Sequence, residues 1–400
     1  MSNPLKLKEL VTIHGGAAAI VLSEGLNQKG LISSFVPTES SVAILKHIHN
    51  AVQYHGEQQE RAINCFGVYG SGKSRLAVLI GQMLRDGVHS PEFESFLTRL
   101  KSINESVLAS NLKSTFLASS DEDAKPYLIV PIYGRSGPTI QSDLVENLYR
   151  VVERTSGLNA SEVLLKTEYS VAQLRLDEIL ELKPELAEVY LPGLGLGNEY
   201  HDPSSLRQGL IDHQSTALSV FSDWHKQLTF GTPFDAVNYG ASLAKEIYLN
   251  ATKQIQNNYR GIAIIWDEFG YALENMLDES QRSPIKEIFE LQEFVETVCS
   301  PSNNHVLFIG LTHVSLSEYG HRANAGEDIK SRIETIQGRF TSLKVELKPA
   351  ELEGYHLLAG QLQTSDLGLE LKERNDGNAK RIYESCKDVP LFSRIEQELL

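Results

Sequence analysis

Cysteine is scarce. Cys65, Cys299 and Cys386 are the three in 400 residues, far apart and in no metal-ligand spacing. That excludes a disulfide framework and a cysteine-built metal site, and reduced thiols in a cytoplasmic protein are the expectation. Long apolar runs are missing as well. The stretch "AAAIVL" (17–22) falls far short of the roughly 20 residues a membrane helix needs, so no membrane segment is expected. "MSNPLKLKELVTIHGG" (1–16) has no charged region leading into an apolar one, so no signal peptide is expected. Positive charge is in deficit: 37 Lys and Arg stand against 52 Asp and Glu, a net charge of −15. This argues against broad nonspecific binding of nucleic acid or anionic membrane by this chain alone, though a local basic patch is compatible with it. No internal repeat is present.

What is there is ordinary for a folded chain. Hydrophobic residues make up 41% and charged residues 22%, enough for a sizeable core and for two or three domains. Val42, Ile44, Leu45, Ile48 and Val52 have helical spacing within 40–55. "AINCFGVY" (62–69) reads as a buried strand, and 73–87 as a helix stopped by Gly87. The later part of 102–125 is polar and Ser-rich, hence a loop. "YLIVPIYGRSG" (127–137) is a second strand, although Pro131 counts against a central position. A helix is expected over 139–155. Helical patterns alternate with loops through 156–250. A third strand covers 261–266. A helix covers 283–299, with Ser283 as N-cap and Pro284 at N1. A fourth strand covers 305–312, a helix 326–342 and a fifth strand 342–349. Strands alternating with helices imply an α/β parallel sheet with helices on both faces. The segments expected are an N-terminal leader and helix (1–55), a core in two parts (56–155 and 251–349), a large, mainly helical insertion (156–250), and a partial helical lid or next domain (350–400). The closing "RIYESCKDVPLFSRIEQELL" is an uncapped amphipathic segment, and the chain is expected to be the front part of a longer polypeptide.

"GVYGSGKS" (67–74) fits G-x-x-x-x-G-K-[ST]. Gly67, Gly70, Ser71 and Gly72 let the backbone curl so that several N–H groups face one anion, and the following helix turns its positive end to the same point. In that pattern Lys73 reaches the β- and γ-phosphates of ATP, the Ser74 hydroxyl ligates Mg²⁺, and Arg75 is counted with the loop. The expected strand before the motif and helix after it meet the pattern's context.

"GIAIIWDEFGYALENML" (261–277) raises a cost. A buried strand ending on two adjacent carboxylates must find a cation or stop at the surface. Beside a phosphate loop, Asp267 can hold Mg²⁺ with Ser74, and Glu268 can polarise the attacking water. A strand ending in a solvated acidic turn would carry the same letters. The Phe269-Gly270 that follows fits either a tight turn bringing the backbone near the nucleotide or simple strand termination.

The loop and the "DE" strand together resemble the AAA+/ASCE division of P-loop ATPases. The resemblance implies a further strand between the phosphate-loop strand and the acidic strand, for which "YLIVPIYG" is the candidate. It implies a polar residue ending the next strand, Thr312 or His313, that contacts the γ-phosphate or the lytic water. "IETIQGRFTSLKVELKP" (333–349) resembles the AAA+ pattern of G-R-F leading into a last strand. There Arg339 would be an arginine finger to a neighbouring subunit, or else a surface arginine; Arg322 and Arg332 are weaker candidates, and Arg381 stands for a second sensor. The wording "FGVYGSGKSRLA" followed by "IIWDEFGYALE" resembles the large ATP-binding proteins of bacterial phage-defence loci, the BREX-type and DUF6079-like proteins. The interval from Lys73 to Asp267 is far longer than a minimal AAA+ core needs. The resemblance implies an ATP-driven motor or gating subunit, a homo-oligomer or part of a multi-subunit complex acting on foreign DNA, with DNA contact indirect or through a missing C-terminal part. The alternative is a signalling or initiator-type switch, STAND or origin-recognition-like, that turns over slowly. A scaffold with a degenerate site is disfavoured by the intact Lys73, Ser74, Asp267 and Glu268. A nucleotide kinase is disfavoured by the absence of an Arg-rich lid after the loop.

Overall fold

The computed structural model describes residues 11–13, 20–53, 61–87, 91–116, 125–183, 185, 200–277, 284–300, 305–322, 327–346 and 362–364. The strands are β1 (Val11–Ile13), β2 (Ala62–Phe66), β3 (Tyr127–Tyr133), β4 (Gly261–Asp267), β5 (Val306–Thr312), β6 (Thr341–Lys344) and β7 (Leu362–Thr364). Five of them form one sheet in the order β3-β4-β5-β2-β6, every neighbouring pair parallel. β1 and β7 form a separate antiparallel pair.

Before the second strand come α1 (Leu22–Gly25) and α2 (Glu39–Gln53). Among the described residues, α3 (Lys73–Asp86), α4 (Pro91–Ser102) and α5 (Ser106–Phe116) follow β2. Between β3 and β4 lie α6 (Ile140–Arg154), α7 (Ala160–Val163), α8 (Glu168–Leu182), α9 (Pro203–Ile211), α10 (Ser215–Leu228) and α11 (Ala244–Ile255). α12 (Phe269–Leu277) and α13 (Pro284–Val298) precede β5, and α14 (Leu316–Arg322) and α15 (Glu327–Gln337) follow it.

β4 and β5 are buried along their whole length, as strands covered on both faces must be. Their side chains alternate between two cores. Ile262, Ile264, Trp266, Val306 and Phe308 join the core built with α6, α11, α12 and α13. Ala263, Ile265, Leu307, Ile309 and Leu311 join the core built with α1 to α5. The sheet is therefore clad by helices on both faces, as expected, and α3 lies on the second.

The strand order corrects one expectation. "YLIVPIYG" does not lie between the phosphate-loop strand and the acidic strand; β5 does, pairing with β4 on one side and β2 on the other. Among the described residues β3 is the outer edge and pairs with β4 alone. Pro131 gives the reason, since a proline has no N–H to donate and is confined to edges. The fifth strand expected at 342–349 is Thr341–Lys344 here, with residues 345 and 346 outside it and 347–349 outside the described residues. The helix before it ends at Gln337 rather than at 342. Among the described residues of 156–250 helices predominate, and α11 runs past residue 250. Ser283, Cys386 and all of 350–400 except β7 lie outside the described residues.

The turn after β4 accounts for Phe269-Gly270. Phe269 is fully buried and sits 5.2 Å from Trp266 and 5.4 Å from Phe308, ring centre to ring centre. A Cβ on Gly310 would come 2.7 Å from Phe269 Cδ1, and one on Gly270 would come 2.0 Å from the Tyr319 hydroxyl. Small residues therefore stand where α12 and Tyr319 of α14 press on the sheet. Gly270→Ala is expected to cost about 1–3 kcal/mol by overpacking, with part of the loss recovered when Tyr319→Phe removes the hydroxyl. Urea unfolding of the single and double variants checks this.

Candidate functional site

β2, β4 and β5 deliver their C-terminal ends side by side, the place where open parallel sheets bind ligands. The loop leaving β2 passes close to the chain after β6: Val345 N donates to Phe66 O at 2.7 Å, and a Cβ on Gly67 would sit 2.2 Å from Val345 O. Gly70 and Gly72 have φ of 77° and 87°, a region that side chains rarely tolerate, and a Cβ on either would meet nothing within 4 Å. No side chain caps the start of α3, so its backbone donors and helix dipole serve the loop. The buried Ser71 hydroxyl has no partner.

Lys73 is buried at the first helical position. Its ammonium donates to the loop's own carbonyls, Gly67 O at 2.6 Å and Val68 O at 3.0 Å. Burial pulls its pKa below the ordinary lysine range, and the charges of Glu268 and Asp267 oppose that pull. Asp267 is 4% exposed at the end of β4, and burial pushes its carboxyl up. A hydrogen bond with the Ser74 side chain lowers it, and the neighbouring Glu268 charge raises it.

Glu268 has a φ of 56°, left-handed backbone in a residue with a side chain. Such a state costs roughly 1–3 kcal/mol and persists where the surroundings impose it. Here its N–H donates to Asp267 Oδ1 at 3.0 Å and its carbonyl accepts from Tyr271 N at 3.0 Å. Its Oε2 lies 2.8 Å from His313 Nε2, just past the end of β5. The His313 ring lies against Tyr69 of the loop, with centroids 3.7 Å apart.

The expected residues thus divide. Lys73, Ser74, Asp267, Glu268 and His313 converge. Thr312 is spent internally: its hydroxyl lies 2.7 Å from Val314 O and 3.0 Å from the Asn64 amide oxygen. One hydroxyl proton cannot serve both. Turning the Asn64 amide lets its NH₂, otherwise without a partner, donate to Thr312 while Thr312 donates to Val314. Arg75 reaches away from the cluster, with Nη2 3.0 Å from Ser34 O and 2.6 Å from Ser34 Oγ. Arg339 pairs with Glu296 of α13 at 2.7 Å. The side chains of Arg322 and Arg332, and all of Arg381, lie outside the described residues. Sequence reasoning missed Tyr69, Asn64 and Tyr319. The visible signals were an aromatic inside a phosphate loop and an asparagine inside an apolar strand.

The loop after β3 braces the acidic end. Gly134 N donates to Asp267 O at 2.8 Å, and Trp266 Nε1 donates to Gly134 O at 2.7 Å. Asp143 of α6 holds the next residues, accepting from Ser136 N at 3.0 Å and Gly137 N at 2.6 Å. Burial raises the Asp143 carboxyl to about 6, against the pull of those backbone hydrogen bonds. A folded pKa above the unfolded one gives stability that is complete below about pH 4 and lost as pH rises toward 6. Asp143→Asn keeps an acceptor there without the charge. It is therefore expected to gain stability relative to the parent as pH rises from about 4 to 7, by up to about 3 kcal/mol. Urea unfolding across that range checks the sign. A deficit in the Asn variant that stays constant with pH would contradict it.

The donor set fits a Mg²⁺-bound polyphosphate. Glycines at positive φ, an uncapped helix start and a buried ammonium suit phosphates. Mg²⁺ needs only a carboxylate and a hydroxyl beside them, completing its shell with water and phosphate oxygens. Ser74 and Asp267, whose side chains lie beside each other, would hold it. Among the described residues no group of three or more His, Cys, Asp or Glu is placed to hold a metal, and no helix is long and apolar enough to cross a membrane. Comparisons with protein families, with curated proteins and with solved structures gave no match to this chain.

Proposed function

We propose that this chain is a P-loop NTPase of the ASCE/AAA+ type that binds and hydrolyses Mg²⁺-ATP. One observation carries the reading: Lys73 and Ser74, distant in sequence from Asp267 and Glu268, come near those carboxylates at the same end of one parallel sheet. The strand order adds support, because β5 stands between the loop strand and the acidic strand as that division requires. Lys73 neutralises phosphate charge once it leaves the Gly67 and Val68 carbonyls. Asp267 and Ser74 would hold the metal, which would offset phosphate charge when bound. Glu268 takes the proton of the attacking water, and His313 orients Glu268. Phosphate release from Mg²⁺-ATP by the intact chain tests this, and no release above background at saturating nucleotide would refute hydrolysis.

The motor or gating role in a DNA-targeting phage-defence system rests on the resemblance of 66–77 and 264–274 alone. Under it, DNA or a partner subunit accelerates release. A second reading, a slow switch, is favoured by the hold of His313 on Glu268. Single-turnover and steady-state rates separate the two: the switch hydrolyses its bound ATP once and then stays loaded.

A further inference from the structure

On the reading that the loop binds nucleotide, we propose that Tyr69 is a positioning residue for Glu268, acting through His313, and that it reports loop occupancy to that carboxylate. Histidines that orient a carboxylate are usually fixed by a hydrogen bond at the second ring nitrogen. His313 has none: its Nδ1 is buried without a partner. What fixes the ring is the Glu268 carboxylate on Nε2, the weak backbone tie from His313 N to the Tyr319 hydroxyl at 3.3 Å, and the face of Tyr69. Of these, only Tyr69 belongs to the phosphate loop.

Tyr69 is 76% exposed, so burial does not account for its place. Its backbone follows Val68, whose carbonyl accepts from Lys73. Its ring centre lies 5.9 Å from the same ammonium. Lys73, Val68, Tyr69, His313 and Glu268 therefore form one continuous path of contacts. The ammonium that must turn to a phosphate is at one end, and the carboxylate that must face water is at the other. When Lys73 leaves Val68, the segment carrying Tyr69 loses a restraint, and the orientation of His313 changes with it. The left-handed backbone of Glu268 marks the far end as a conformation imposed by its surroundings.

The test uses the full chain with ¹⁵N-labelled histidine. The His313 ring resonances are assigned by their loss in His313→Gln, and Mg²⁺-ADP binding is measured in parallel by calorimetry. In the nucleotide-free chain, Tyr69→Leu is expected to shift the His313 resonances and Tyr69→Phe, which keeps the stacking ring, to restore them. On adding Mg²⁺-ADP, His313 shifts in the parent and in the Phe variant but not in the Leu variant, although calorimetry shows nucleotide bound. The Leu variant lowers kcat by about 10- to 100-fold with KM little changed, as a displaced catalytic group does. A His313 spectrum identical in the parent and Tyr69→Leu overturns the proposal. So does a parent His313 that ignores bound Mg²⁺-ADP. An absence of nucleotide binding removes the nucleotide reading instead, and the nucleotide-free comparison still decides whether Tyr69 holds His313.

Discussion

Glu268→Gln will lower ATP hydrolysis by about 10²- to 10⁴-fold and leave Mg²⁺-ATP binding intact, the range expected for losing a general base. The substitution is nearly isosteric. Gln tolerates the 56° φ no worse than Glu, and its amide can still meet His313 Nε2, which lies 2.8 Å from the native carboxylate. Geometry is thus kept and basicity removed. Asp267 keeps the hydrogen bond it accepts from the residue-268 N–H, and Ser74 beside it is unchanged, so the groups proposed to hold the metal are untouched. Phosphate release under single-turnover conditions, with calorimetry alongside, checks both halves. Normal turnover in the Gln variant would mean that another group activates water.

Lys73→Ala will abolish the stabilisation that Mg²⁺-ATP gives the parent. At ligand concentrations near 100 times Kd, binding adds about 2.7 kcal/mol to the folded state, a readily measured rise in Tm. Lys73 is a buried cation near Asp267 and Glu268, and its ammonium donates to the Gly67 and Val68 carbonyls. Without it the phosphates lose their main charged partner. The ligand-free variant sets its own baseline, so the comparison is the rise that Mg²⁺-ATP gives each protein over its own ligand-free Tm. Differential scanning fluorimetry with and without Mg²⁺-ATP measures both quantities. An equal ligand-induced rise in parent and variant would move the nucleotide elsewhere.

The candidate site was legible in the sequence wherever one local segment carries the proposed chemistry. The glycines and Lys73 need only their own loop, and Asp267 and Glu268 follow directly from an apolar strand. The alternation of strands and helices sufficed for a parallel sheet clad on both faces. Strand order was not legible from spacing, since order is set by which edges pair. Pro131 held the clue to an edge position, yet the long insertion after β3 gave no sign of where that strand returns. Asn64 and Thr312 show another limit. Each looks like a polar residue near a site, and their mutual hydrogen bonding removes Thr312 from it. The close, tilted contact of the Tyr69 and His313 rings joins residues from two strand ends and leaves no pattern in either segment. Phe269-Gly270 shows the reverse case: a local motif whose cause is tertiary, the closeness of Phe308 and Tyr319.

The most direct measurement is a crystal structure of Glu268→Gln grown with Mg²⁺-ATP. The account predicts triphosphate within the 67–74 loop, Lys73 moved from the Gly67 and Val68 carbonyls onto phosphate, and the metal on Ser74 and Asp267. A loop still closed on Lys73 at saturating nucleotide, with ATP bound at another surface or not at all, would contradict it.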